Sequence, residues 1–129
     1  MILSLLLIFL AGLCKALSDT ISFKFGISKF SNLPYSYWNP VISWKNKYKN
    51  GDKKQGEKFL FSTTALCFTT DAWHLFNFLQ YSFFTLAILT FPDFNFLPYA
   101  LIDFIAAFFI LKLTFSSGFT LGYNWIFIK

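Results

Sequence analysis

Residues 69–89 read TTDAWHLFNFLQYSFFTLAIL. The run is apolar enough to enter a bilayer, yet it holds Asp71, the single histidine His74, Asn77 and Gln80. It belongs to a longer apolar stretch, 59–91, which as one helix would be about 50 Å long against a hydrocarbon core of roughly 30 Å. The stretch therefore divides into an entry helix over 59–71 and a membrane span over 72–91, with Pro92 as a stop because proline cannot continue a helix.

The rest of the chain supports a membrane reading. It has 129 residues, 56% of them hydrophobic, and 20 are phenylalanine. A soluble domain this small keeps too much surface to hide that much apolar area. Charged residues make up 13%, about half of what an average soluble domain carries. Residues 1–17 form a first apolar span. No lysine precedes it, so it lacks the charged start of a secretory signal and reads as an uncleaved anchor, with Lys15 reaching to the headgroups. Residues 97–115 form a third span, with Asp103 inside it, Ala106 and Ala107 as a small contact patch, and Lys112 near its far end. The segment PDFNFLP before it reads as a tight connection. Residues 116–129, which contain Gly118 and Gly122, read as an interfacial or re-entrant tail rather than a fourth span.

Between the first two apolar stretches lies a basic loop, 18–58. It holds eight lysines against Asp19, Asp52 and Glu57. The excess of lysine in a short loop places it in the cytoplasm, with the N-terminus outside and the C-terminus inside. Within it, ISFKFGIS (21–28) alternates like an extended strand. WNPVISWKNKYK (38–49) reads as a short helix with Asn39 as N-cap and Pro40 in its first turn. Val41, Trp44 and Tyr48 fall on one face of that helix. Trp38, Trp44 and Tyr48, with Lys45, Lys47 and Lys49, then form a headgroup-contacting surface suited to anionic lipid. Every basic residue is lysine, so the guanidinium fork that favours nucleic-acid recognition is missing, and no nucleic-acid partner is expected.

The expected architecture is an all-α integral membrane protein, a single membrane domain over 1–129 with about three transmembrane helices. Its composition, free of arginine and rich in phenylalanine and lysine, is what an AT-rich bacterial or phage genome produces.

An ionisable group at the centre of a membrane helix costs about 2.5–3.5 kcal/mol, so each one calls for a partner or a function. Asp71 and His74 stand at i, i+3 and can touch. With Asn77, Gln80 and Asp103 they make up the candidate polar intramembrane site, for proton or ion handling or for helix–helix contact. Cys67 shares their face, but it lies about 10.5 Å from His74 along a helix, too far for a nucleophile and its base. One histidine and no CxxC or HExxH motif give no metal site, and no cofactor motif such as GxGxxG, the P-loop or GxSxG is present. A disulfide between Cys14 and Cys67 is not expected, nor is a catalytic constellation. Three functional classes fit. The first is a scaffold or binding protein that forms a homo-oligomer or docks another membrane protein. The second is an oligomeric, holin-like or proton-conducting pore using Asp71 and His74. The third is a membrane enzyme acting on lipid headgroups.

Overall fold

The computed structural model describes residues 1–91 and 100–129, and among these the chain is helical, without strands. Three long helices make the body: α1 Ile2–Phe23, α4 Ala72–Leu89 and α5 Ala100–Leu121. Two short helices, α2 Tyr35–Trp38 and α3 Pro40–Ser43, lie in the loop. α1 packs against both α4 and α5. Its buried side is made of small residues, among them Ser4, Ala11, Gly12, Ala16 and Thr20. Such residues let helix backbones approach closely where no hydrophobic drive pushes them together.

α4 runs antiparallel to α1. The Ser4 hydroxyl at the start of α1 donates to the Thr90 carbonyl at the end of α4 (2.8 Å), while Leu17 and Ile21 at the other end of α1 pack on Ala72. α5 runs parallel to α1, and two glycines set their separation. A Cβ on Gly12 would lie 2.3 Å from the Phe115 carbonyl oxygen, and one on Gly118 would lie 2.3 Å from that of Phe9. Gly122, four residues on, sits against the Ala16 side chain, whose Cβ would lie 2.7 Å from a Cβ there. Among the described residues two helices are long and apolar enough to cross a membrane, Ile2–Phe23 and Leu101–Ile126. α4 carries His74, Asn77 and Gln80, which lower its hydropathy.

Several expected boundaries shift. α1 continues past residue 17 to Phe23, and ISFKFGIS is not extended. The Lys15–Asp19 ion pair (2.6 Å) and the hydroxyls of Thr20 and Ser22, which donate to carbonyls four residues back, support the extra turns, and Ile21 is buried. The entry helix over 59–71 is absent: this segment is turns, ending in a single 3₁₀ turn, Cys67–Thr69. Its backbone amides are taken by side chains instead. Glu57 accepts from the amides of Phe61 and Thr63 and from the Thr63 hydroxyl, and the Ser62 hydroxyl accepts from the Lys58 amide and donates to the Lys47 carbonyl. The Thr63 hydroxyl, outweighing the desolvation, holds the Glu57 carboxyl below its ordinary range, helped by both amides. Phe61 stands at φ 63, in the left-handed region a helix excludes.

Within the described residues the third helix covers Ala100–Leu121, so it runs past 115. It continues through Leu121 into a π-helical turn, Gly122–Ile126, so 116–126 is not a separate tail. The reason is the glycine seam: Gly118 and Gly122 face α1, not a turn. Lys112 accordingly sits in mid-helix, exposed, with Nζ 5.8 Å from the Phe108 ring centroid. The tight connection expected at 92–98 lies outside the described residues. The chain end returns to the loop. The Lys29 amide donates to the Phe127 carbonyl, and the Lys129 ammonium donates to Ser31 and Asn32. The C-terminus and the basic loop thus share one end of the bundle. That end is closed by an aromatic cluster in which Phe30 stacks on Trp38 (5.0 Å) and also meets Phe127.

Candidate functional site

α4 opens with Asp71, which is 1% exposed. Its Oδ1 accepts from the His74 amide (3.0 Å), capping the helix and satisfying one of the donors every helix start leaves free. Its Oδ2 meets His74 Nδ1 at 2.7 Å and accepts from the Thr70 hydroxyl at 3.2 Å. The contact expected from the i, i+3 spacing is present, and it comes with a cap. Burial pushes the Asp71 carboxyl up, but the hydrogen bonds from the His74 ring and amide, the imidazole's charge and the Thr70 hydroxyl together hold it below its ordinary value. Asp71 stays ionised at neutral pH. Its charge reaches Tyr37, whose phenol is pushed up by burial and by that carboxylate.

The loop supplies the other wall. Asn39 accepts from the Val41 amide (2.9 Å), and Pro40 follows in the first turn, so α3 starts as its sequence dictates. Asn46 then pins this region against α4, donating to the Ser36 carbonyl (2.8 Å) and to the Thr70 carbonyl (3.0 Å), next to Asp71. A cleft of about 190 Å³ results, lined by Pro40, Ser43, Trp44, Asp71, Trp73 and His74. Ser43 is 1% exposed, and its hydroxyl has no hydrogen-bond partner. Buried hydroxyls are nearly always paired, with protein or with ordered water, so this one calls for a partner. The Trp73 and His74 rings stand edge to face, 5.0 Å apart.

The other expected site residues scatter. Asn77 donates to its own helix at the Trp73 carbonyl (2.8 Å), and Gln80 is buried farther along α4. Asp103 is buried in the first turn of α5. Because α5 starts where α4 ends, it lies at the opposite end of the bundle from Asp71, about 27 Å away by the rise of α4's 18 residues. Asp71, His74 and Asp103 thus form no common site. Of the expected headgroup contacts, Trp38 is packed in the aromatic cluster beside Phe76 and Tyr37 rather than turned outward. Trp44 is 41% exposed, with Lys45 Nζ 5.8 Å from its ring centroid. Tyr48 leaves the short helix, bridges to Glu57 and lies beside the Lys47 ammonium. Lys49 begins a separate turn after it.

Sequence reasoning missed Ser43, which lines the cleft, and Asn46, which ties the loop to the Thr70 carbonyl. The cleft brings a hydroxyl, an imidazole and a carboxylate together. Among the described residues no group of three His, Cys, Asp or Glu is placed to hold a metal ion. Compared with protein-family models, curated proteins and solved structures, the chain matches none.

Proposed function

We propose that this chain is a multi-pass membrane binding protein. Its spans are α1, α4 and the helix 101–126, its N-terminus lies outside, and its basic loop and C-terminus lie in the cytoplasm. It works by holding a small polar group in the cleft between α3 and α4. The observation that carries this reading is the buried, unpartnered Ser43 hydroxyl sharing one cleft with the Asp71–His74 pair. The excess of lysine in the loop supports the orientation, and Trp44, Lys45, Lys47, Tyr48 and Lys49 supply the contact with anionic headgroups. A conducting path would need polar groups along the bundle. Here Asp71 and His74 stand at one end, Asp103 at the other, and Asn77 is bonded to its own helix. This distribution favours binding over a pore.

Lys112 supports the scaffold part of the reading. A lysine at mid-depth facing lipid costs about 2.5–3.5 kcal/mol, and contact with a second copy of the chain lowers that cost. The test is native mass spectrometry of the protein released from lipid nanodiscs. Wild type should emerge as an oligomer carrying a bound species that His74→Ala loses. Identical retention by both proteins would sink the binding reading, and a monomeric wild type would sink the oligomer.

A further inference from the structure

One face of α4 links the cleft to a surface of different character. His74, Phe78, Tyr81 and Thr85 follow at i, i+4, i+7 and i+11, the spacing of one helix face. His74 lines the cleft. Phe78, Tyr81 and Thr85, with Ser82 and Leu86, line an open groove of about 490 Å³ farther along α4. A ligand that occupies both is amphipathic, with a small polar head and a hydrocarbon chain. The cleft's 190 Å³ is below the roughly 300 Å³ at which pockets for drug-sized ligands begin, so the head is short.

Charge then selects the head. No lysine lines the cleft, and its one fixed charge is the Asp71 carboxylate. His74 Nδ1 is committed to that carboxylate, which leaves Nε2 as the free ring nitrogen, an acceptor when the imidazole is neutral. The Ser43 hydroxyl is unpaired, so its oxygen is free to accept and its O–H free to donate. Trp44 and Trp73 complete the wall, and indoles attract cations. A group that satisfies all of these is a cation with N–H donors. Outside the cleft the sign reverses: Lys45 stands beside Trp44, with Lys47 two residues on, placed for a negative group next to that cation.

We propose that the site binds a phospholipid with a primary-amine headgroup. The ammonium lies among Ser43, His74 and Asp71, the phosphate at Lys45, and one acyl chain in the groove from Phe78 to Leu86. This assignment rests on the binding reading above and adds the identity of the ligand. A quaternary ammonium has no N–H to give Ser43 or His74. An anionic glycerol headgroup placed in the cleft meets a carboxylate.

The experiment uses nanodiscs of phosphatidylethanolamine, phosphatidylcholine and phosphatidylglycerol in equal parts with identical acyl chains, followed by native mass spectrometry of the released protein. Wild type should retain phosphatidylethanolamine. Ser43→Ala and His74→Ala should each cut that retention roughly tenfold, the scale of one lost hydrogen bond to a charged group. Ser82→Trp, which fills the groove and leaves the cleft intact, should cut it as well. Ser43→Ala removes a hydroxyl that bonds to nothing, so its folding is not at stake. Equal retention of phosphatidylcholine would overturn the hydrogen-bonded ammonium, and preference for phosphatidylglycerol would overturn the charge assignment. In both cases loss of the retained lipid in the cleft variants would keep the binding reading alive. Retention unchanged by those variants, or no retained lipid at all, would overturn both.

Discussion

At the seam between α1 and α5 a methyl group has nowhere to go, whereas at the cleft between α3 and α4 a hydroxyl is left over. Gly12 and Gly118 meet the opposite backbone so closely that any Cβ would displace it. Nothing polar is stranded there, and nothing can enter. In the cleft Ser43 is buried without a partner, and Asp71 and His74 satisfy each other while leaving one ring nitrogen unused. The first junction is specified by what it excludes. Beside the second, Asn46 ties the loop to the Thr70 carbonyl, next to Asp71. Close packing serves the bundle, and its local suspension makes room for a ligand.

The largest expected effect breaks the seam. Gly118→Ala puts a Cβ 2.3 Å from the Phe9 carbonyl oxygen, and a backbone atom cannot yield as a side chain can. Overpacking of this kind costs about 1–3 kcal/mol. Unfolding in mixed micelles followed by circular dichroism should show that loss. Gly26→Ala, at a glycine with nothing within 4 Å, should leave the curve where it is. Equal behaviour of the two variants would mean that the helices do not meet through their glycines.

This seam was legible in the sequence, but it was misread. GFTLG at 118–122 has two glycines four apart, the spacing that lets membrane helices touch, and Gly12 and Ala16 answer it on α1. Read alone, the same glycines look like helix breakers, because glycine costs about 1 kcal/mol in a helix interior. Only the partner helix shows that close approach offsets that cost. By contrast, the i, i+3 spacing of Asp71 and His74 and the apolar run after them gave the contact and the helix, while the Asp71 cap was hidden by reading 59–71 as helical. Asn39 and Pro40 gave the start of α3. The turns at 59–70 were not legible, since apolar content spoke for helix while Glu57 and Ser62 bind the backbone amides that a helix would use. Ser43 was not legible either. Its meaning comes from a residue far along the chain, and no local pattern marks a serine that lacks a partner.

The next effect, of about 0.5–2 kcal/mol, belongs to the Asp71 cap. Asp71→Ala removes the acceptor for the His74 amide and frees the imidazole. Amide exchange should speed up in the first turn of α4 and stay unchanged near Thr90. The same carboxylate sets an acid limit. Its folded value lies below the ordinary 3.8, so its stabilisation is fully present above that value and is lost as the pH falls through the lower folded one. Wild type should therefore show faster exchange in this turn only in acid below about pH 4, and Asp71→Ala should lack that pH dependence. A variant that kept the acid limb would assign it to another carboxylate, with Glu57 the next to change.

The smallest effect on stability has the opposite sign, and it decides between the two kinds of junction. Ser43→Ala removes a buried oxygen that bonds to nothing, so its burial is a cost the folded chain bears without return. Deleting such a group is neutral or stabilising, by up to about 1 kcal/mol, because the penalty disappears and no bond is lost. A serine held for packing would behave otherwise: its loss would leave a void and lower stability, as at the seam. A serine held for a ligand should yield a protein that unfolds at the same or higher denaturant and binds less. Unfolding of wild type and Ser43→Ala in lipid-free micelles gives the first quantity, and lipid retention from nanodiscs gives the second. If stability falls together with retention, the cleft is a packing defect filled by its own side chains. If the two move in opposite directions, the chain tolerates an unsatisfied hydroxyl in its free state because a ligand atom satisfies it in the bound one.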